Sequence, residues 1–387
     1  MELIDAEELS TRYTVEELSE TAEQYFARQS DWNFLLSKPF GSGAEAPVIV
    51  GHLAAMLSAL ALTPGMDVLD FGAGSCWTSR MYTQLGCRVI ACDVSASALT
   101  IGRRLYELHP PVGAQPAPTF LHFDGHHIDL PDASVDRVAC MDAFHHVPNR
   151  GEVLAELQRV LRPGGIAVMA EGGPNHSRTP QSQSEMRSYQ VVERDIVVHE
   201  FAIEAEAAGF ADTLVGIYAA SPAFVPADVF EDELTAGRVA ADAARSFMDN
   251  HRLLRLSKAG TIASDSRSAS ALWADLEVAM SGASRATVRV RNAGAGTWLG
   301  LSSGVGAVSL GIHLFDEDDR LIDLDFHRER LSEDPSAVVP PGEIIDLEVA
   351  IPALPPGRHR LEFDLVSENI AWFGLVGSPT VSVWVDA

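Results

Sequence analysis

Four acids stand at the ends of four successive apolar runs: Asp70 in VLDFGAG, Asp93 in RVIACD, Asp124 in LHFDGHH and Asp142 in VACMD. Gly72 and Gly74 follow the first acid, and His145 and His146 follow the last. Carboxylates in this position hold cations and hydroxyls, and glycines let a ligand approach the backbone closely. The Gly-x-Gly spacing is that of a dinucleotide loop, in which a third glycine lets pyrophosphate sit on a helix N-terminus. Trp77 occupies that third position, and Asp70 sets a carboxylate against two phosphate charges. Both features disfavour pyrophosphate and suit a nucleoside that carries positive charge.

S-adenosylmethionine, with an ammonium and a sulfonium, is such a ligand. Asp70 is read as the partner of the ammonium, directly or through water, with Phe71, Gly72, Ala73 and Gly74 lining the loop. Asp93 and Val94 take the ribose, Asp124 and Gly125 the adenine amine, and Asp142 and Ala143 the methionyl part. Methyl transfer from this donor is mostly positioning, plus a base where the acceptor is a hydroxyl. His145 or His146 is read as that base, or else the two as a cofactor-packing and a structural histidine respectively, with Glu171 and His176 as rivals for the base. No Asn-Pro-Pro-Tyr run marks amino-group methylation. His122, His126 and His127 join the pair as a histidine group, but imidazoles are poor magnesium ligands, so no metal ligand is assigned. The polar stretch 172–194 suits a hydroxylated acceptor such as a sugar. Tyr25, Phe26, Trp32, Phe34 and Phe40 are read as a water-excluding lid or as core, Lys38 as an anion contact or a surface residue, and Tyr189 as packing or substrate contact.

The elements that must position these residues alternate from residue 66 to about 172. Strands are expected at Val68–Phe71, Arg88–Asp93, Phe120–Phe123, Arg137–Asp142 and 166–171, with helices between them. Continuous apolar strands between amphipathic helices imply an α/β fold with a parallel sheet covered on both faces. Thr14 and Glu17 form a capping box ahead of an N-terminal helix. A helix near 199–208, a strand near 213–218, a helical insertion at 227–250 and an antiparallel last strand at 252–258 follow. Beyond a small-residue linker the period becomes two, and turn signals such as PPGE and LPPG separate the runs, as in an all-β sandwich. The expected boundaries are a helical cap (1–60), a ligand-binding domain (61–260), a linker (261–271) and the sandwich (272–387).

The chain of 387 residues is 47% hydrophobic and 21% charged, which places it among globular proteins. A net charge of −26 repels phosphate backbones and anionic lipid, so nucleic acid is not an expected partner. The acidic N-terminus does not read as a signal peptide, and the longest apolar stretch is too short for a membrane span. The four cysteines lack Cys-x-x-Cys spacing, and reduced thiols in a cytoplasmic protein are expected.

With these residues in view, the chain resembles the class I S-adenosylmethionine-dependent methyltransferases over roughly residues 61–220. VLDFGAGSCWTSR, VIACDVS, FDGHHIDLPDASVDRV, MDAFHHVPN and LRPGGIAVMAEGGP carry the likeness. The resemblance implies a Rossmann-like methyltransferase sheet and S-adenosyl-L-methionine as cofactor. KPFGSGAEAP and GPNHSRTPQSQSEMRSYQVVERDI are similar to a bacterial subgroup associated with surface-polysaccharide assembly. The tail resembles glycan-recognising sandwich modules of O-antigen export, with Trp298, Trp372, His327 and Arg328 as sugar contacts. This implies O-methylation of a saccharide hydroxyl, with homo-oligomers or polysaccharide-assembly proteins as partners. A small-metabolite O-methyltransferase and a non-catalytic glycan-binding protein are the alternatives.

Overall fold

The computed structural model describes residues 3–113, 115–220, 222, 224–261 and 264–387. These form two compact units, Met1–Leu62 with Met66–Ile262, and Thr63–Gly65 with Ala263–Ala387. Among the described residues, no helix is long and apolar enough to cross a membrane.

Four helices open the first unit: α1 (Ala6–Arg12), α2 (Val15–Ala27), α3 (Asn33–Leu36) and α4 (Ala46–Leu60). The expected capping box starts α2, where Thr14 and Glu17 each bond the other's backbone. Next come β1 (Asp67–Phe71), α5 (Trp77–Gln84), β2 (Arg88–Asp93), α6 (Ala96–Leu108), β3 (Thr119–His122), β4 (Val135–Met141), α7 (Arg150–Val160) and β5 (Leu161–Gly172). The unit ends with α8 (Pro180–Tyr189), α9 (Val198–Ala207), β6 (Asp212–Val215), α10 (Phe230–Ala236), α11 (Arg238–Met248) and β7 (His251–Ser257). The sheet runs β3-β2-β1-β4-β5-β7-β6. β1 pairs parallel with β2 and β4, while β7 lies antiparallel to both β5 and β6. This is a Rossmann-like methyltransferase sheet. The apolar runs are continuous because both faces are covered: Leu69, Phe71, Val138 and Cys140 pack with α7 and α9, and Val68, Ala139 and Val168 pack with α4.

Two elements differ from expectation. β5 begins at Leu161, five residues early, because Leu161 pairs with Val135 and an irregularity in the ladder carries Pro163-Gly164-Gly165 past it. The polar stretch 172–194 also folds, as α8, capped by Thr179, which accepts from the Ser182 N–H. Its Ser and Gln content reads as a loop, but the cap and Pro180 at the first helical position start a helix.

The second unit holds β8 (Ala274–Met280), β9 (Arg285–Asn292), β10 (Val308–Phe315), β11 (Leu321–Arg330), β12 (Ile344–Ala350), β13 (Arg358–Ser367), β14 (Ala371–Trp372) and β15 (Val381–Asp386). One sheet runs β12-β9-β8; the other runs β11-β10-β13-β14, with β15 also on β13. Strict alternation along β9 buries Ala286, Val288 and Val290 against Leu310, Ile312 and Phe363 of the other sheet. Trp298 is fully buried in this core, which overturns its expected role as an exposed sugar platform. The Trp372 ring is half-buried, with the Arg328 guanidinium 4.4 Å over it and Gly311 packed against its edge. An aromatic face covered by the molecule's own arginine is not an open platform either.

Candidate functional site

The glycine loop is held by the neighbouring strand. The N–H groups of Gly72 and Ala73 donate to the Cys92 carbonyl at 2.9 and 3.0 Å, and that of Gly74 donates to Asp93 Oδ2 at 2.8 Å. Gly72 has φ +68°, and a Cβ there would lie 2.3 Å from the Cβ of Ala143, so only glycine fits. Asp93 is buried, and its Oδ1 accepts from the Ser95 N–H at 2.8 Å. Burial raises its carboxyl, and the two backbone N–H bonds work against that rise. Each oxygen keeps a second lone pair, so the acid can still accept from hydroxyls.

Asp70 is placed differently from expectation. It is 1% exposed, and its Oδ2 accepts from Thr78 Oγ1 at 2.8 Å and from the Ser79 hydroxyl. Burial, countered in part by these hydroxyls, pushes the carboxyl up to about 6. The structure thus uses Asp70 to fasten the first turn of α5 beneath the loop.

On the β3 side Asp124 is exposed, and its Oδ1 accepts from the N–H groups of His126 and His127 at 2.8 and 2.7 Å. Those bonds hold its carboxyl low. Helix α2 lies along this edge. A Cβ on Gly125 would meet Val15 at 2.8 Å, and Glu23 bonds the hydroxyls of Ser95 and Ser97. A Cβ on Gly74 would meet the Phe26 ring at 3.7 Å, and Tyr25 packs edge-on against Tyr189 at 5.1 Å. Of the aromatics read as a lid, Tyr25 and Phe26 stand here. Phe34 and Phe40 are exposed, and Phe40 lines a separate hollow with Lys38, Trp77 and Arg80.

The turn after β4 carries the densest chemistry. Asp142 adopts φ +49° and is exposed. The protein packed around it, and then Glu171, push its carboxyl up to about 6, with Lys38 and His176 working against the rise. Phe144–His146 form a short 3₁₀ turn. Glu171, fully buried at the end of β5, accepts from the N–H groups of Ala143, Phe144 and His145 at 3.2, 3.0 and 3.3 Å. It also accepts from His145 Nδ1 at 2.6 Å. Glu171 is therefore occupied as the clamp of this turn, and its expected role as a base is corrected on that ground. His145 is 3% exposed, and burial drives its imidazole well below the usual range.

His146 is half-buried, and its Nδ1 lies 2.6 Å from the Val192 carbonyl. A carbonyl only accepts, so Nδ1 carries the hydrogen and the neutral ring keeps its lone pair on Nε2. His176 Nε2 lies 2.7 Å from Glu193 Oε2. Burial lowers the imidazole, but Glu193 outweighs it and the net shift is upward. Glu193, buried beside three imidazoles, was not singled out in the sequence. Burial works to raise its carboxyl, yet His146, His176 and His145 bring it down to about 2. It lies in an irregular segment between α8 and α9, 22 residues beyond Glu171, where no periodicity marks it.

Residues 69–169 match a family model described as a methyltransferase domain. The chain is similar to a demethylmenaquinone methyltransferase of Parafrankia sp., at 35% identity over 29% of this chain and 49% of that protein. It is also similar to a malonyl-[acyl-carrier protein] O-methyltransferase of Yersinia pestis, at 39% identity over 28% of this chain and 38% of that protein. The chain thus spans about half the length, or less, of these relatives. Among solved structures, phosphoethanolamine N-methyltransferase 2 of Haemonchus contortus aligns with 17% identity and a TM-score of 0.44, over 62% of this chain and 60% of that one.

Proposed function

We propose that this chain is an S-adenosylmethionine-dependent methyltransferase that methylates an oxygen of a small hydroxylated acceptor, with His146 receiving the proton. The observation that carries the reading is the Val192 carbonyl on His146 Nδ1, which leaves a proton-accepting Nε2 at the end of β4.

The donor set fits the cofactor. Asp93 and Asp124 are acceptors for hydroxyl and amine groups, Asp142 offers the cleft a carboxylate, and the Gly72–Ala143 approach keeps the loop low. When bound, the cofactor supplies a methyl group activated by a sulfonium. The chain supplies position: Asp93 and Asp124 hold the nucleoside end, and Glu171 fixes the turn that carries His146. Helix α2 sets Phe26 over Gly74 of the loop.

The acceptor is drawn broadly as a small hydroxylated molecule. The polar stretch that favours a saccharide uses several of its polar groups internally, with Gln183 bonded to both backbone groups of Ile4 and to the Ser177 carbonyl. The relatives named above are not named for sugars. Calorimetry with S-adenosylmethionine and S-adenosylhomocysteine tests the cofactor, and an absence of binding refutes the enzyme reading. Turnover of His146→Gln at saturating cofactor tests the base, and an unchanged rate removes His146 from that role.

A further inference from the structure

We infer that His145, His176 and Glu193 form a binding site for one divalent first-row transition-metal ion such as zinc. The three donors come from the turn after β4, the turn after β5 and the segment after α8. One ligand atom from each lies within 4.8 Å of the others. His176 Nε2 stands 2.7 Å, and His145 Nε2 3.7 Å, from Glu193 Oε2. Ligands sharing a zinc at about 2.0–2.2 Å stand roughly 3–3.5 Å apart in a tetrahedron, so small side-chain rotations close the set.

Two further observations point to a cation. Glu171 accepts from His145 Nδ1, which fixes that hydrogen on Nδ1 and aims the bare Nε2 lone pair toward Glu193. A carboxylate behind a metal-binding histidine is the usual outer support of such a ligand. The arrangement also leaves an imidazole lone pair facing a carboxylate at 3.7 Å, two acceptors that a shared metal ion reconciles. Glu193 is 2% exposed, and among the described residues its Oε1 meets no hydrogen-bond donor group, while the Glu185 carboxyl, pushed up by burial and then by Glu193, lies beside it. His146 Nδ1 stands 3.5 Å from Glu193 Oε1, with its hydrogen committed to Val192. A buried carboxylate oxygen without a donor is costly, and a metal ion satisfies it.

Two imidazoles and one carboxylate select zinc, cobalt, nickel or iron over magnesium. His176 is 24% exposed, so the site has a solvent side at which water or an acceptor oxygen completes the coordination. An ion there stands beside His146 and lowers the pKa of a bound hydroxyl. That consequence rests on the methyl-transfer reading; binding of the ion does not.

The test uses the full chain without a polyhistidine tag, stripped by chelator and exchanged into metal-free buffer. Zinc is titrated by calorimetry, and cobalt by its visible spectrum. One ion per chain is expected, with affinity lost at least ten-fold in His176→Ala and in Glu193→Gln, and kept in the surface control His127→Ala. Zinc should also raise the melting temperature of the wild type but not of His176→Ala. No zinc binding by the folded wild type, or wild-type affinity in His176→Ala, overturns the proposal. Because one substituted residue is partly exposed and the other replacement isosteric, circular dichroism separates loss of the ion from loss of the fold. Cofactor calorimetry on the same samples separates the two readings. Cofactor binding without zinc sinks the metal alone, and zinc binding without cofactor sinks the methyltransferase alone.

Discussion

Glu171→Gln is the sharpest test of the clamp. Glu171 Oε1 takes two backbone N–H groups, and Oε2 takes the His145 N–H and Nδ1–H. An amide has one oxygen, so whichever way it is turned its NH₂ end confronts two donors. Two bonds to a charged acceptor are lost at about 1.5–3 kcal/mol each, or about 3–6 kcal/mol, because the site is fully buried. For a unit of this size each kcal/mol moves the melting temperature by roughly 2–4 °C, so a fall of about 6 °C or more is expected. Scanning calorimetry measures it, with the transition of the first unit identified by its rise on adding cofactor. A shift under about 2 °C shows that the carboxylate is not a clamp. Full stability and full cofactor affinity with abolished turnover would instead restore Glu171 as the base.

Asp93→Ala should weaken S-adenosylmethionine by about 1.5–3 kcal/mol, read by calorimetry; unchanged affinity removes it from the ribose. Gly72→Ala should destabilise the first unit by about 1–3 kcal/mol and lower cofactor affinity, because its methyl group meets Ala143. His52 is buried, and burial, followed by the neighbouring His251, lowers its imidazole to about 4. The folded state then binds fewer protons than the unfolded one between about pH 6.5 and 4. Its stability is complete above about 6.5 and falls by up to about 3 kcal/mol as the pH drops to 4. His52→Phe should flatten that part of the melting-temperature profile, and an unaltered profile refutes the assignment. His146→Gln should slow turnover by about 10²–10⁴ with cofactor affinity intact, whereas a fall in affinity of the same size makes it a structural residue.

Much of the sheet was legible because its strands are buried on both faces and read as unbroken apolar runs. The positions of Asp93 at the end of β2 and Asp124 just beyond β3 were legible because strand ends are fixed by those runs. Asp70 misled: its position was right, but Thr78 and Ser79, eight and nine residues on, turn its carboxylate inward, and helix direction is not written in composition. Glu171 misled for a related reason, since the N–H groups it clamps belong to a turn 26 to 28 residues earlier. Glu193 was invisible because its partners meet it only through tertiary return of an irregular segment. In the second unit, alternation located the strands, but it could not tell Trp298, placed between elements, from a surface aromatic.

Helix α2 touches the loops after β1, β2 and β3, through Phe26, Glu23 and Val15. A molecule seated beneath it exchanges with solvent only as fast as these contacts part, so one helix sets the residence time of donor and spent donor alike. The strongest contacts are those from the Glu23 carboxylate to Ser95 and Ser97, where the serine bonds hold its carboxyl low against the opposing effect of burial. Falling pH therefore neutralises Asp70 and Asp142, whose carboxyls stand near 6, before it neutralises Glu23 and loosens the helix. Release should quicken with falling pH even where turnover has already slowed.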